Sequence, residues 1–205
     1  MNMMNIINKK VDITLDYYNK QAKNFTNDTQ TINFSTLQNE FCSYIPKNSH
    51  ILDLGCGAGR DSKAFIDAGY KVTAMDGSEE LCKVASQFIG QDVICSTFQE
   101  YKTKEMFDGI WACASLLHLA PNDIVSVMNK LSNNLKDSGC FYASFKYGDF
   151  SGVRNGRFFQ NMTEEDFNKL LSKMPSYKTI SSSVTSDIRP GRENEKWLNI
   201  FLRKI

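Results

Sequence analysis

The chain has 205 residues, of which 41% are hydrophobic and 23% are charged, and its formal net charge is +1. This length fits one globular domain, so we expect residues 1–205 to form a single domain. No run of about eighteen apolar residues occurs, which excludes a membrane-spanning helix. The balanced charge creates no global field to hold a polyanion, and a local basic patch is the alternative. Residues 1–10 show no export signal, so we expect a cytoplasmic protein.

The cysteines and histidines give no sign of a metal site. None of the six cysteines is spaced as C-x-x-C, and the two histidines are far apart, at His50 and His118. We therefore expect reduced thiols and no bound metal.

The N-terminal part of the chain is predicted to be a lead-in or a lid. Residues 1–34 are rich in Asn, Lys and Thr, and only 11–23 favour a helix. A helix over 35–45 follows, because Leu37, Phe41 and Tyr44 recur at helical spacing.

The middle of the chain alternates between strands and helices. Strands are predicted at 51–54, 71–75, 93–95, 107–113 and 140–145. Helices are predicted at 61–68, 78–88 and 122–136, with Ser78 as an N-cap and Gly139 ending the third helix. Since the strands are nearly continuous apolar runs, this pattern predicts a buried parallel sheet.

The C-terminal part changes character. The glycine-rich segment 148–157 is predicted to be a flexible flap. Thr163 begins a capping box for a helix that ends near Pro175. Two strands follow at 177–185 and 197–202, and we expect them to pair antiparallel because no helix separates them.

The most informative segment is the glycine-rich turn Gly55-Cys56-Gly57-Ala58-Gly59 between the first strand and the next helix. Glycines let the backbone turn sharply and approach a ligand closely. Arg60 stands where the dinucleotide fingerprint requires a third glycine, which argues against NAD or FAD. Asp76 ends the second strand, where a carboxylate can accept both hydroxyls of a ribose. A nucleoside ligand without a pyrophosphate fits both features.

On these residues, Asp53 to Gly59 with Asp76 behind them, the chain resembles the class I S-adenosylmethionine (SAM)-dependent methyltransferases. The stretches 59–62 and 69–72 are similar to a bacterial branch that includes tellurite-resistance-type methyltransferases. The resemblance implies an α/β fold: a Rossmann-like, mostly parallel sheet of seven strands, the last one antiparallel, with helices on both faces. It implies SAM as the cofactor and S-adenosylhomocysteine (SAH) as the product.

The resemblance also assigns cofactor-binding roles to individual residues. Asp53 and the turn residues Gly55, Cys56 and Gly57 would face the methionine part of SAM. Asp76 would bind the ribose, and Gly77 and Ser78 would line the adenosine. The remaining contacts would come from Arg60, from Thr97, Phe98 and Gln99 at the adenine, from Cys113, Ala114 and Leu116 at the sulfonium, and from Tyr17 and Tyr18 as a lid.

Each role has a structural alternative. The turn could be tight without a ligand, Asp76 could cap a helix, and Phe98 could belong to the core. Tyr17 and Tyr18 could simply anchor an N-terminal helix, and Arg60 could be a solvated arginine.

The acceptor site is expected at the carboxyl ends of the strands. His118, after the fourth strand, is a candidate general base, with a purely structural histidine as the alternative. Substrate contacts are expected from Lys146, Tyr147, Arg157 and Arg192, with Arg154 and Arg189 nearby; solvated loop charges are the alternative.

The absence of two motifs narrows the range of methyl acceptors. The chain has neither an Asn-Pro-Pro-Tyr or Asp-Pro-Pro-Tyr motif after the fourth strand nor a Pro-Cys pair, which disfavours methylation of base amino groups or cytosine C5. We expect a monomer or weak dimer that methylates a small molecule and has no membrane partner. An RNA methyltransferase and a non-catalytic SAM-binding regulator are the alternatives.

Overall fold

The structure is a computed structural model that describes residues 3–205, with side chains for residue 11 and residues 13–205. Residues 1 and 2 of the predicted lead-in lie outside the described residues. The helices are α1 (Met3–Thr29), α2 (Ser35–Ser43), α3 (Arg60–Asp67), α4 (Glu79–Ile89), α5 (Pro121–Ser132) and α6 (Glu164–Leu171). The strands are β1 (His50–Leu54), β2 (Lys71–Asp76), β3 (Ile94–Cys95), β4 (Phe107–Ala112), β5 (Leu135–Lys146), β6 (Ser151–Arg154), β7 (Arg157–Gln160), β8 (Tyr177–Ser186) and β9 (Lys196–Lys204).

Seven of these strands form one sheet in the order β3-β2-β1-β4-β5-β9-β8. The first five strands in chain order pair in parallel, and β9 lies between β5 and β8, antiparallel to both. The expected α/β architecture, with its last strand antiparallel, is therefore confirmed. Strands β6 and β7 form a separate antiparallel hairpin.

Both faces of the sheet are buried at the central strands β1, β4, β5 and β9, which explains why these strands are apolar on both sides, whereas the edge strands β3 and β8 are largely exposed. One face carries Leu52, Ile110 and Phe141 and packs against α5 and α6. The opposite face carries Trp111 and Tyr142, whose stacked rings have centroids 3.9 Å apart, and packs against α2, α3 and α4. Helix α1 belongs to neither layer but crosses the carboxyl ends of the strands.

Local capping signals were correctly predicted. The Ser78 hydroxyl accepts the Leu81 N–H at the start of α4, and the Thr163 hydroxyl accepts the Asp166 N–H at the start of α6. These side chains replace backbone partners that the first turn of a helix lacks.

Two sequence predictions were wrong. Gly139 does not end a helix: α5 ends at Ser132, and Gly139 lies inside β5. The strand starts early because Leu135 already pairs with Phe107, and an irregularity in register then brings Cys140 opposite Gly109. Such a bulge inserts extra residues into a strand without ending it.

The second error concerns the N-terminal segment, where the helix is longer than the predicted 11–23 and extends from Met3 to Thr29.

The segment 148–157, predicted as a flexible flap, contains β6 and the start of β7. An Asn155-Gly156 turn joins these strands, with positive φ angles at both residues. This turn chemistry is typical of tight hairpins.

Among the described residues, no helix combines the length and apolarity needed to cross a membrane.

Gly109 in β4 gives a test of this packing. An added Cβ would lie 2.5 Å from Cζ of Phe41 in α2. We therefore expect Gly109→Ala to lower the free energy of unfolding by about 1–3 kcal/mol, because overpacking forces the core apart. Urea denaturation measures this change. In the control Gly152→Ala, only the exposed Phe150 ring is near, and the expected change is below about 0.5 kcal/mol. Equal effects of the two substitutions would contradict this packing.

Candidate active site

A cavity of about 1270 Å³ lies at the carboxyl ends of the parallel strands, beneath α1 and the β6–β7 hairpin. Its proximal half lies at the glycine-rich turn and is lined by Gly55, Cys56, Gly57, Arg60, Asp76, Gly77, Thr97, Phe98, Gln99, Cys113 and Ala114. Its distal half lies beside the hairpin and the β8–β9 connection and is lined by Lys146, Tyr147, Arg154, Arg157, Phe159, Asn161, Asp187, Arg189, Arg192, Glu195 and Trp197. Tyr18 and His118 also line this cavity.

The floor of the proximal half is bare backbone. Gly55 has a φ of +86°, and an added Cβ would lie 2.5 Å from Cβ of Ser115. Gly57 has a φ of +56° and faces the Phe25 ring of α1, which would lie 3.0 Å from an added Cβ. Left-handed φ angles and this crowding both require glycine.

Asp76 borders this floor at the end of β2. Its Oδ2 accepts the Gly57 N–H at 2.9 Å, and its Oδ1 accepts the Ser78 N–H at 2.9 Å. Burial raises the pKa of Asp76, although the backbone N–H groups of Ser78 and Gly57 act in the opposite direction. Each oxygen of an ionised carboxylate keeps a further acceptor position, so both can still receive ligand hydroxyls.

Arg60 is held in place by the buried Asp61. Its Nε and one terminal nitrogen each donate to Asp61 at 2.8 Å, and its guanidinium lies 4.5 Å from the Phe34 ring centroid. Asp61 also accepts hydrogen bonds from Trp111 Nε1 at 2.9 Å and Gln38 Nε2 at 2.7 Å. Burial alone would raise the pKa of Asp61, but these donors, led by Arg60, lower it. The carboxylate thereby stays ionised, and Arg60 keeps donors for an anion in the cavity.

The segment after β3 forms the side wall of the proximal half. The Lys130 ammonium donates to the carbonyl oxygens of Phe98, Gln99 and Tyr101 at 2.8, 3.0 and 2.9 Å and so fixes the path of the chain. The Nε2 of Gln99 is buried and has no hydrogen-bond partner among the described residues. A buried amide without a partner is costly, which marks Gln99 as a place where a ligand acceptor would be satisfied.

Helix α1 covers the cavity. Asn19 Oδ1 accepts the Ser78 hydroxyl at 2.7 Å, which ties α1 to the start of α4. Leu15 lies above Gly77, where an added Cβ would come within 2.7 Å of its side chain. Because the helix rests directly on backbone, it closes the cavity over the glycine-rich turn.

Tyr18 on α1 is bonded to His118 across the cavity. Tyr18 Oη and His118 Nε2 are 2.9 Å apart, and His118 Nδ1 lies 2.6 Å from the carbonyl oxygen of Phe158. A carbonyl can only accept, so Nδ1 carries the proton and Nε2 accepts the Tyr18 hydroxyl proton. Burial lowers the pKa of His118 to about 4, which keeps the ring neutral near pH 7.

Two ion pairs occupy the distal half. Lys146 pairs with Glu195, and Arg189 pairs with Asp187, a carboxylate that also accepts the Trp197 indole N–H at 3.0 Å. Although burial works against ionisation of Asp187, the Arg189 bonds hold its pKa at about 2. Arg157 lies over the rings of Tyr17 and Tyr18, with its guanidinium carbon 4.3 and 5.5 Å from their centroids.

Not every predicted cofactor residue borders the cavity. Asp53 is 1% exposed beneath the turn, where it accepts the Ser62 hydroxyl at 2.6 Å. Burial and the neighbouring Asp61 raise the pKa of Asp53. Ser78 caps α4, and Leu116 lies in the hydrophobic core. Tyr17 packs against Arg157 of the hairpin rather than lining the cavity.

Several cavity residues were missed by sequence reasoning because they come together only in the fold. They include Leu15, Phe25, Phe34, Asp61, Ser144, Phe159, Asn161, Asp187, Glu195 and Trp197. Ser144 illustrates the difficulty: its hydroxyl accepts the N–H of Ala114 at 2.8 Å and so supports a residue with a φ of +50°. Nothing in the local sequence of β5 indicates that contact.

Residues 51–139 match the protein family described as a methyltransferase domain. An uncharacterized methyltransferase of Staphylococcus carnosus is 24% identical over 175 residues, which are 82% of this chain and 84% of that protein. The ubiquinone biosynthesis O-methyltransferase of Coxiella burnetii is 38% identical over 82 residues, which are only 37% of this chain and 35% of that protein. Residues 51–139 therefore carry a methyltransferase domain.

Solved structures share this fold. The N1-methyltransferase of 1,6-didemethyltoxoflavin from Burkholderia thailandensis, with 1,6-didemethyltoxoflavin and SAH bound, superposes with a TM-score of 0.77 at 20% identity over 97% of this chain and 90% of that chain. The glycopeptide N-methyltransferase MtfA, crystallised with SAH, has a TM-score of 0.68 at 14% identity, covering 85% and 91% of the two chains. This likeness confirms the methyltransferase fold.

The neutral state of His118 has a measurable consequence for stability. Its folded pKa of about 4 lies below the ordinary value of 6.5, so between these pH values the unfolded chain binds a proton that the folded chain does not. Protonation of His118 in the unfolded chain should therefore lower the free energy of unfolding by up to about 3 kcal/mol as the pH drops from 6.5 to 4. We expect His118→Gln to make this decline shallower, as measured by urea denaturation across that range.

The half-buried His50, whose pKa is also lowered chiefly by burial, provides the matched control. We expect His50→Gln to alter the pH dependence less than His118→Gln. A His118→Gln variant with the same pH slope as the wild type would contradict the assignment of a buried, neutral imidazole.

Proposed function

We propose that the chain transfers the methyl group of SAM to a small-molecule acceptor that binds in the distal half of the cavity. The observation that carries this proposal is the continuity of the two halves within one cavity of about 1270 Å³. Sites for a single small ligand typically measure about 300–1,000 Å³, so this volume has room for the cofactor and a second molecule.

The proximal half has the chemistry that SAM requires. Asp76 would receive the two ribose hydroxyls on its remaining acceptor positions, and Arg60 would bind the carboxylate of the methionine part. The orphaned Gln99 amide would meet an acceptor on the adenine edge, with Phe98 beside the ring. The bare backbone at Gly55 and Gly57 would allow close approach of the cofactor.

For the remaining predicted cofactor residues, we propose roles from where they lie relative to the cavity. Cys56, Gly77, Thr97, Cys113 and Ala114 line the proximal half and would complete its wall. Asp53, buried beneath the turn, would act through Ser62 on the start of α3 rather than by contact with the cofactor.

SAM supplies an electrophilic methyl group on a positively charged sulfur, so the protein contributes alignment and a dry site. Helix α1 excludes water from the proximal half through Leu15 and Phe25, which lie against the glycine backbone. The Tyr18 hydroxyl and the His118 ring then latch the helix to the strand ends. We assign His118 this latching role, because its Nε2 is already occupied by Tyr18 and its Nδ1 by a carbonyl.

Enclosure favours a small molecule over RNA as the acceptor. The distal half lies under the β6–β7 hairpin, which is packed on α1: the Phe158 N–H donates to the Thr14 hydroxyl at 3.1 Å. A polynucleotide would have to displace both elements. The fold neighbour from Burkholderia thailandensis has 1,6-didemethyltoxoflavin bound in its crystal structure together with SAH. The narrower resemblance to tellurite-resistance-type methyltransferases stays a prediction of the sequence.

The ribose assignment is tested by Asp76→Ala. Loss of a charged acceptor for two hydroxyls should weaken SAM binding roughly 10- to 150-fold, since hydrogen bonds to charged groups contribute about 1.5–3 kcal/mol. Isothermal titration calorimetry measures the affinity, and circular dichroism confirms that the fold persists. The exposed Asp92→Ala should bind SAM as the wild type does. Unchanged affinity in Asp76→Ala would place the ribose elsewhere.

The acceptor class is tested by incubating the protein with methyl-labelled SAM and a cell extract that is then separated into small-molecule, RNA and protein fractions. We expect label above a no-enzyme control in the small-molecule fraction. Label confined to RNA would favour the RNA methyltransferase, and SAM binding without any transfer would favour the regulatory protein.

A further inference from the structure

The distal half carries more positive than negative charge. Each of its two carboxylates is already matched, because Glu195 pairs with Lys146 and Asp187 pairs with Arg189. These pairs leave the arginines of the hairpin without an acidic counterpart. Their side chains therefore give this half of the cavity its net positive charge.

Arg154 and Arg157 meet aromatic rings instead of carboxylates. Their guanidinium carbons lie 5.2 and 5.0 Å from the centroid of Phe159, and neither has a carboxylate within 4.0 Å among the residues that the structure describes. Arg157 is half-buried and Arg154 is exposed, and two like charges around one ring repel each other. An anion bound between them would turn that repulsion into attraction.

Two buried polar atoms nearby also lack partners. Nε of Arg157 and Oδ1 of Asn161 are buried without a hydrogen bond among the described residues, and Asn161 as a whole is only 9% exposed. Leaving such atoms unpaired is unfavourable, because they have lost their hydrogen bonds to water. One is a donor and the other an acceptor, so a ligand that satisfies both must carry an acceptor and a donor.

Aromatic side chains give the same space flat walls. The Trp197 ring is fixed by its hydrogen bond to Asp187, and Tyr147, 39% exposed, lies at the same end of the cavity. Planar ligands bind well against rings held in this way. Guanidinium groups are planar too and bind a carboxylate through two parallel hydrogen bonds.

We propose that the acceptor is an aromatic acid whose acidic group is bound by Arg154 and Arg157 and whose ring lies beside Phe159 and Trp197. This inference rests on the proposed function, in that the distal half is taken as the acceptor site. It extends that function by stating the charge and shape of the molecule.

The test measures binding to the SAH-saturated protein by saturation-transfer nuclear magnetic resonance, so that the proximal half is filled. Benzoate is the probe, benzamide removes its charge, and cyclohexanecarboxylate keeps the charge but removes the aromatic ring. We expect benzoate to bind at least about tenfold more tightly than benzamide, since a charge-assisted pair is roughly twice as strong as a neutral hydrogen bond. We expect it to bind about two- to tenfold more tightly than cyclohexanecarboxylate, because aromatic pairs gain free energy beyond the area they bury.

The double variant Arg154→Gln/Arg157→Gln should weaken benzoate binding at least about tenfold. Arg154→Gln alone, which removes an exposed guanidinium that packs on Phe150 and Phe159, should weaken benzoate binding while leaving SAH affinity unchanged. Lys173→Gln, which removes an exposed charge beyond α6, is the control and should bind benzoate normally. Equal binding of benzamide would overturn the anionic part of the proposal, and equal binding of cyclohexanecarboxylate the aromatic part. Full benzoate binding by the double variant would overturn the assignment to these arginines.

A second experiment separates this inference from the proposed function. The small-molecule fraction of a cell extract is passed over an anion-exchange resin, and the bound and unbound compounds are each offered to the enzyme with methyl-labelled SAM. We expect label in the compounds that the resin retains. Label only in unbound compounds would overturn the inference and leave the methyltransferase function standing. No label in either pool, with benzoate still selected over benzamide, would overturn the function and leave the anion site standing.

Discussion

The close approach of side chains to bare glycine backbone at the turn between β1 and α3 is the constraint on which the rest of the site depends. At Gly55 an added Cβ would lie 2.5 Å from Ser115, and at Gly57 it would lie 3.0 Å from Phe25. Bare backbone there exposes the Gly57 N–H to Asp76 and lets α1 descend onto the strand ends. A side chain at either position would lift the lid and separate the carboxylate from the floor of the cavity.

Charge divides the cavity into two halves with different chemistry. In the proximal half Asp61 fixes Arg60, and Asp76 stands in a buried setting that raises its pKa. In the distal half the acidic side chains are paired, and the hairpin arginines Arg154 and Arg157 face rings instead. One end of the cavity therefore suits a molecule with hydroxyls and a carboxylate, and the other suits a flat anion. Both ends are closed by the same helix.

Short-range patterns in the sequence predicted much of the fold, because each depends on neighbouring residues. The glycine-rich turn followed by Asp76 and the cap at Thr163 are of this kind. Contacts across the fold could not be predicted: Asn19 bonds Ser78 although 59 residues separate them. The prediction that Gly139 ends a helix was wrong for a related reason, since whether a glycine ends a helix or lies in a bulged strand depends on the partner strand.

The central claim is that the glycine-rich turn and Asp76 form one SAM site beneath α1. Equilibrium dialysis of the wild-type protein against methyl-labelled SAM tests it most directly. The account predicts saturable binding of one SAM per chain, displaced by SAH. Failure to bind SAM, or binding that SAH does not displace, would contradict it.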